Sequence, residues 1–228
     1  MAQITPMFAV PFAFAKHPNP DGLNAALKAL FLAREAEGTR HANPTPLVAR
    51  NAALFESRFD LFEWTDAPVQ ALRDWCWQHL YGMVGELNGY DTATRMRLDI
   101  GNDCWFHVTR RNGFFSLHNH PMATWSGVYC VDAGEDDGTS PESGQLSFMH
   151  PNATATMFMD RTVSNLRAPY AYGSRPFVLE PGQLVLFPSW LLHEVKPFIG
   201  SGTRITVAFN CWFRMRDAHL VPPGPSAG

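Results

Sequence analysis

The sequence predicts a mainly β protein with flanking helices, in which a double-stranded β-helix (jelly roll) core carries two N-terminal amphipathic helices on one sheet. Two observations predict this fold. Apolar residues recur at helical spacing within residues 1–94, and about eight short strand-like segments follow with no long helix among them. We therefore divide the chain into a helical part at 1–94, packed on the barrel within the same domain, a β core at 95–215 and a tail at 216–228.

Both predicted helices have one apolar face, so each needs a surface to cover. The first runs from about residue 22 and places Leu27 and Phe31 on one face. The second runs from about residue 66, places Leu72 and Leu80 on one face and stops at Gly89. Residues 39–64 lie between them, are rich in Asn, Pro and Arg, and are predicted to form a long loop.

The β core is predicted from runs of Val, Ile, Phe, Trp and Thr that are broken by Gly, Pro and Asn. The N-terminal segment is expected to add an edge strand or a packed arm. The predicted strands are 97–100, 104–110, 114–120, 125–132, 145–149, 177–180, 183–187 and 204–213, with 193–197 as a further short one.

Composition argues against several classes of partner. The net charge is −3 and Lys and Arg form no cluster, which disfavours nucleic acid or an anionic membrane as the main partner. The four cysteines are widely spaced with no CxxC pair, as expected of free thiols in a reducing compartment. We therefore expect a cytoplasmic protein.

Three histidines form the candidate metal site. His118 and His120 are two residues apart on one predicted strand, so both side chains point to the same face. His193 follows an apolar strand that Pro188 ends, and a jelly roll would bring it back to the same place. Three neutral imidazoles suit Fe, Zn, Ni or Cu. The alternative is that one or two of them are surface residues or only line a pocket.

An arginine on the last predicted strand points to an anionic ligand. Arg204, Thr206, Ala208 and Asn210 share one strand face. If that face lies inside the barrel, the guanidinium needs an anionic partner, because an unpaired buried charge is very costly. A small dicarboxylate would supply one, bound by two parallel hydrogen bonds from the guanidinium and one from Thr206. A core carboxylate such as Asp132 is the alternative partner.

Together these segments resemble the iron(II)/2-oxoglutarate-dependent oxygenase superfamily, and within it a branch with the pattern HxHP…H…R. The resemblance covers about residues 100–212 and rests on three segments. They are HNHPMATWSGVYCV at 118–131, SGQLSFMHP at 143–151 and PGQLVLFPSWLLHEVKPFIGSGTRITVAFN at 181–210.

The resemblance implies a metal site for Fe(II). His118 matches the first iron ligand and His193 the distal one. His120 stands where the superfamily usually has an aspartate. It therefore either binds the metal as a neutral third ligand or only lines the pocket.

The resemblance also implies a site for 2-oxoglutarate and a reaction. Arg204 matches the arginine that binds the far carboxylate, with Thr206 beside it. Tyr129 either reaches the cosubstrate or packs within the barrel. The implied activity is that of a dioxygenase that oxidises, by hydroxylation, a small-molecule or peptide substrate whose identity depends on loops without a readable motif.

Two other functions remain open from the sequence. A cupin-like metal enzyme without 2-oxoglutarate shares the HxHP pattern, although a cupin usually has a glutamate soon after it and residues 122–125 are Met, Ala, Thr and Trp. A catalytically degenerate β-barrel binding module would explain the missing carboxylate ligand. Exposed edge strands favour a homodimer.

Overall fold

The computed structural model describes residues 2–216, so the predicted tail at 216–228 lies outside the described residues from position 217 on. The described chain contains two long helices, α1 (Pro20–Ala36) and α2 (Ala67–Asn88), and the short helix α3 (Thr92–Arg95). Single 3₁₀ turns occur at Gly38–Arg40, Leu61–Glu63 and Ala153–Thr156.

The strands form a six-stranded and a four-stranded antiparallel sheet, together with a small two-stranded ribbon. In spatial order, the major sheet consists of β1 (Ala13–Lys16), β9 (Gln183–Pro188), β5 (Trp125–Asp132), β12 (Arg204–Met215), β3 (Leu98–Thr109) and β2 (Leu54–Glu56). The minor sheet consists of β4 (Phe115–His118), β10 (His193–Val195), β7 (Leu146–Phe148) and β8 (Arg175–Phe177). The ribbon pairs β6 (Glu135–Asp136) with β11 (Gly200–Ser201).

The two long helices cover one face of the major sheet. Their apolar faces share a hydrophobic core with β3, β5, β9 and β12. The ring of Phe31 on α1 stacks on that of Phe106 on β3, with centroids 4.2 Å apart. Helix α2 ends at Gly89, whose φ of +66° is the left-handed conformation that a glycine adopts without strain.

A second apolar cluster lies between the two sheets and closes one side of the space that they enclose. It includes Leu146 and Phe148 of β7 and Val185 and Phe187 of β9. The prediction of a mainly β protein with two amphipathic helices on one sheet is confirmed. The domain boundaries stay a prediction.

Three details of the predicted strands were wrong. The strand predicted at 177–180 lies at Arg175–Phe177 instead, so the two ranges share only residue 177. The segments predicted at 97–100 and 104–110 belong to one continuous strand, β3, which runs from Leu98 to Thr109 through Gly101. Gly101 is needed there because the indole of Trp212 on β12 lies over it, and a Cβ would come 2.3 Å from Trp212 Nε1. The predicted loop at 39–64 contains strand β2, which pairs with β3 and ends in the buried Glu56.

Two further observations concern the chain as a whole. None of the helices in the described part combines the length and the hydropathy that crossing a membrane would need. The four cysteines are free and buried. Burial raises the pKa of the Cys76 thiol, as expected of a residue that fills the core.

Candidate active site

A cavity of about 520 Å³ lies between the major and the minor sheet. The minor sheet contributes His118 and His193 to its wall, and His120 follows directly after β4. The major sheet contributes Arg204 and Thr206, since these residues point to the face of β12 that the helices do not cover. The fold therefore brings the sequence-predicted histidines and arginine to one enclosed space.

The three histidines meet at one point of this cavity. His118 and His193 are paired directly across β4 and β10. Their ring centroids lie 4.4 Å apart, and that of His120 lies 5.0 Å from His118 and 5.1 Å from His193. One ring nitrogen from each residue lies within 4.8 Å of the other two. Three nitrogens at this spacing fit a single metal ion at bonds of about 2 Å.

Backbone carbonyls orient two of the three rings in the same way. His118 Nδ1 lies 2.7 Å from the Ser116 carbonyl oxygen, and His193 Nδ1 lies 2.8 Å from that of Leu191. A carbonyl only accepts, so each Nδ1 is the protonated nitrogen and each Nε2 keeps its lone pair for a metal. The backbone N–H of His120 donates to the Ser189 carbonyl at 2.9 Å, which ties this residue to the turn after β9.

Burial keeps all three imidazoles neutral. It lowers the pKa of His118, and lowers that of His120 and His193 to about 3, with the neighbouring histidines adding to the effect. A ring that is already deprotonated binds a metal without first losing a proton. The donor set therefore fits a divalent transition metal such as Fe, Zn, Ni or Cu.

Arg204 places an uncompensated guanidinium in the same cavity. The residue is only 7% exposed, and burial lowers its pKa. Within the described part of the chain, its guanidinium makes no hydrogen bond or ion pair. The alternative partner weighed above, Asp132, instead binds Lys28 at 2.5 Å. Thr206, two positions along β12, is 2% exposed and lines the same wall.

The backbone around Arg204 is shaped to leave room for its side chain. Gly144, just before β7, has a φ of +61°, and a Cβ at this position would lie 3.1 Å from Arg204 Cδ. A larger residue would therefore be strained in its backbone and would press on the arginine.

Tyr129 does not line the cavity, so the structure contradicts the first of its two predicted roles, contact with a cosubstrate, and agrees with the second, packing within the barrel. Its side chain points to the other face of β5, under the helices, and is fully buried. Its hydroxyl donates to Asn24 Oδ1 on α1 at 2.7 Å, and its ring meets that of Trp75 on α2. Tyr129 therefore fastens the helices to the sheet.

Sequence reasoning missed a buried, paired carboxylate at the cavity wall. Glu56 is 7% exposed and lies 2.6 Å from Arg50 Nη1, 2.6 Å from Asn43 Nδ2 and 3.3 Å from His107 Nε2. Burial alone would raise the pKa of Glu56, but the contacts with His107, Asn43 and Arg50 more than offset this effect and lower it to about 2. The sequence signal that could have pointed to this carboxylate is its partner His107, which alternates with Trp105 and Asp103 on one face of β3.

Comparison with known families gives one match. Residues 103–210 match the family model described as "Putative 2OG-Fe(II) oxygenase". The matched segment contains the three histidines, Arg204 and Thr206. A search of functionally curated proteins finds no match.

Solved structures of similar fold cover most of the chain. A prolyl-4-hydroxylase from Pseudomonas putida is 22% identical, with a TM-score of 0.52 over 91% of this chain and 94% of that chain. AviO1 from Streptomyces viridochromogenes Tue57 is 16% identical, with a TM-score of 0.55 over 95% of this chain and 93% of AviO1. HygX from Streptomyces hygroscopicus is 14% identical, with a TM-score of 0.50 over 89% of this chain and 82% of HygX. The HygX structure holds nickel, 2-oxoglutarate and hygromycin B. At these identities the likeness establishes the fold.

Proposed function

We infer from the family match over residues 103–210 that this protein is a 2OG-Fe(II) oxygenase, and we propose that it oxidises a small-molecule or peptide substrate at the three-histidine centre. One observation carries the proposal. The cavity that holds the converging imidazoles also holds the buried guanidinium of Arg204, which has no anionic partner among the described residues. A bound dicarboxylate would supply the missing negative charge.

Each side chain has a separable role in this proposal. His118, His120 and His193 would hold Fe(II), the first and the last through Nε2 because their Nδ1 atoms face carbonyls. Arg204 would bind the far carboxylate of 2-oxoglutarate through two parallel hydrogen bonds, and the Thr206 hydroxyl would add one donor. When bound, Fe(II) and 2-oxoglutarate together supply the oxidation of a substrate C–H bond by dioxygen, with loss of CO₂ and formation of succinate.

The protein positions these groups and keeps water away from them. Phe187 and Leu146 line the cavity beside the histidines and are almost fully buried. An apolar wall strengthens the attraction between Arg204 and a carboxylate, because fewer water molecules compete for either group.

The third histidine favours a second candidate function. A carboxylate at position 120 would give the centre one negative charge, whereas three imidazoles give it none. An all-histidine centre also suits a cupin-like metal enzyme that does not use 2-oxoglutarate. The third possibility is a degenerate barrel that binds no metal.

One titration separates the three functions. Fe(II) and then 2-oxoglutarate are added to the protein under anaerobic conditions, and the weak visible metal-to-ligand charge-transfer absorption is recorded for wild type, Arg204→Ala and His193→Ala. The oxygenase requires the absorption in wild type and its loss in both variants. Arg214→Ala is the matched control, because Arg214 lies on the same strand but is exposed.

The remaining outcomes each contradict the proposal. Metal binding without the absorption points to the cupin-like enzyme, and no metal binding points to the degenerate barrel. An absorption of equal intensity in Arg204→Ala removes the role of the guanidinium.

We also propose a cytoplasmic location and a homodimer. Four free, buried thiols are compatible with a reducing compartment. The major sheet ends in β1 and β2, and a strand at an edge can pair with a second chain. Sedimentation equilibrium of the purified protein tests the dimer, which a single species of 25.5 kDa would contradict.

A further inference from the structure

Three side chains that carry a carboxyl or a guanidinium group line the cavity: Glu56, Asp103 and Arg204. Arg50 neutralises Glu56 at 2.6 Å, and the proposed dicarboxylate neutralises Arg204. The carboxylate of Asp103 makes no hydrogen bond or ion pair with any residue from 2 to 216. One negative charge on the wall is therefore left without a partner.

Asp103 and Arg204 lie at opposite ends of the cavity. Asp103 on β3 is paired with Asn210 on β12, and Arg204 lies six positions away along β12. Six residues of a strand span about 20 Å. Arg204 and Thr206 are buried, whereas Asn210 and Asp103 are partly exposed, so the cavity opens at the Asp103 end.

The neighbouring amide is oriented by hydrogen bonds. Ser126 Oγ donates to Asn210 Oδ1 at 2.7 Å, and Ser189 Oγ lies 2.8 Å from Ser126 Oγ. Asn210 Oδ1 thus already accepts a hydrogen bond, and the side-chain NH₂ group of Asn210 remains as a donor for a ligand in the cavity. A ligand at this end meets a carboxylate acceptor next to an amide donor.

Two aromatic rings stand beside Asp103. The centroids of Phe59 and Trp105 lie 4.5 Å apart, and the Phe59 carbonyl accepts the Cys104 N–H at 2.9 Å, which holds Phe59 next to β3. Phe59 is 42% exposed. The Trp105 ring also reaches toward the metal site, with its centroid 5.9 Å from that of His120. Aromatic faces attract organic cations, and their effect adds to that of a carboxylate.

We propose that the substrate carries a cationic nitrogen, an ammonium or a similar group, which Asp103 binds at the open end while Phe59 and Trp105 pack against the attached carbon atoms. This assignment rests on the proposed function, because it names the substrate class of the same site. It places the carbon chain next to the nitrogen between Asp103 and the histidines, where oxidation would occur.

Binding of matched amines and alcohols to the metal-free protein tests the assignment. The probes are 2-phenylethylamine, 4-phenylbutylamine and hexylamine, each compared with the alcohol of the same skeleton at pH 7.5 by ligand-observed NMR titration. At least one amine should bind more tightly than its alcohol. Asp103→Asn should weaken that amine roughly tenfold, as expected for a lost charged hydrogen bond, and leave the alcohol unchanged.

The matched control is Asp99→Asn, which makes the same charge change on the same strand. Asp99 is exposed and bound to Arg216 Nε at 2.8 Å, and should affect neither probe. Equal binding of every amine and its alcohol would overturn the assignment. So would an amine preference that persists in Asp103→Asn, or that falls equally in Asp99→Asn.

Failure of this assignment is distinguishable from failure of the proposed function. The charge-transfer absorption depends on the histidines and Arg204, and Asp103→Asn should leave it unchanged. If the protein prefers amines but shows no charge-transfer absorption, the cation site is supported and the oxygenase function is contradicted. If it shows the absorption but no preference for amines, the oxygenase function is supported and the cation site is contradicted.

Discussion

Replacing Arg204 by methionine should stabilise the protein and strongly weaken its binding of 2-oxoglutarate. The guanidinium is 7% exposed and has no partner among the described residues, so in the ligand-free protein it bears a desolvation cost that no ion pair offsets. Even when a buried charge has an ion-pair partner, replacing the pair by apolar residues is often neutral or stabilises the protein by about 1–4 kcal/mol. Because part of the space around Arg204 is open cavity, we expect about 1–2 kcal/mol.

The same substitution would remove the two charged hydrogen bonds that we propose between Arg204 and the ligand. At roughly 1.5 kcal/mol or more each, their loss weakens 2-oxoglutarate binding about 100-fold or more. Urea unfolding of the ligand-free and metal-free protein measures the first effect, and anaerobic titration with Fe(II) and 2-oxoglutarate measures the second.

Two further variants identify the cause. Arg204→Lys keeps the positive charge and should therefore bring no gain in stability. It should still bind 2-oxoglutarate more weakly than wild type, because lysine lacks the planar guanidinium that donates two parallel hydrogen bonds. Arg214→Met, at an exposed site, should change stability by no more than about 0.5 kcal/mol. A less stable Arg204→Met protein with an unchanged m value, or one that binds 2-oxoglutarate as wild type does, would refute the reasoning.

Four further predictions follow from the site. His120→Asp should bind Fe(II) at least as tightly as wild type because it adds a negative charge, whereas His120→Ala should bind it roughly tenfold or more weakly; anaerobic metal titration that finds the two alike would show that residue 120 is not a ligand. Burial lowers the pKa of His120 and His193 to about 3 in the folded protein. In the unfolded chain these histidines take up protons near pH 6.5, so the folded state loses stability as the pH falls below 6.5. The metal-free protein should lose about 2 kcal/mol for each of these histidines between pH 7 and pH 5, seen as a lower urea midpoint that His120→Gln partly restores. Tyr129→Phe should cost about 1 kcal/mol of unfolding free energy, because a buried amide oxygen on α1 loses its donor, while 2-oxoglutarate affinity stays at the wild-type value. Gly144→Ala should both destabilise the protein by about 1 kcal/mol and weaken 2-oxoglutarate binding, since the new Cβ meets the arginine side chain; unchanged binding would mean that the arginine moves aside freely.

The parts of the fold that a local pattern encodes could be predicted from the sequence. The helical faces of α1 and α2 follow a period of 3.6 residues, and the helices lie where this period places them. The prediction that His118 and His120 lie on one strand was wrong for His120, because β4 ends at His118, yet both side chains line the cavity. That His193 joins them depends on β10 lying between β4 and β7, a long-range pairing that the resemblance implied and that no local pattern encodes.

When a strand is buried on both faces, the sequence does not show which of its side chains point to which face. Residues 128–131 are all apolar, so alternation does not tell whether Tyr129 points to the helices or to the cavity. Only the packing of Asn24 and Trp75 decides this. Glu56 was missed for a related reason: a three-residue strand such as β2 is too short to show any period.

The register of β4 and β10 has a consequence for how the protein would acquire a metal ion. Residues 118 and 193 face each other because main-chain bonds between neighbouring strands put them there, and those bonds use none of the ring nitrogens that would bind an ion. Chelation should therefore empty the centre without unravelling the barrel, unlike a zinc finger, whose folding requires its ion. The polypeptide can be assembled first and loaded afterwards, and which ion it carries then depends on supply inside the cell as much as on the ligands.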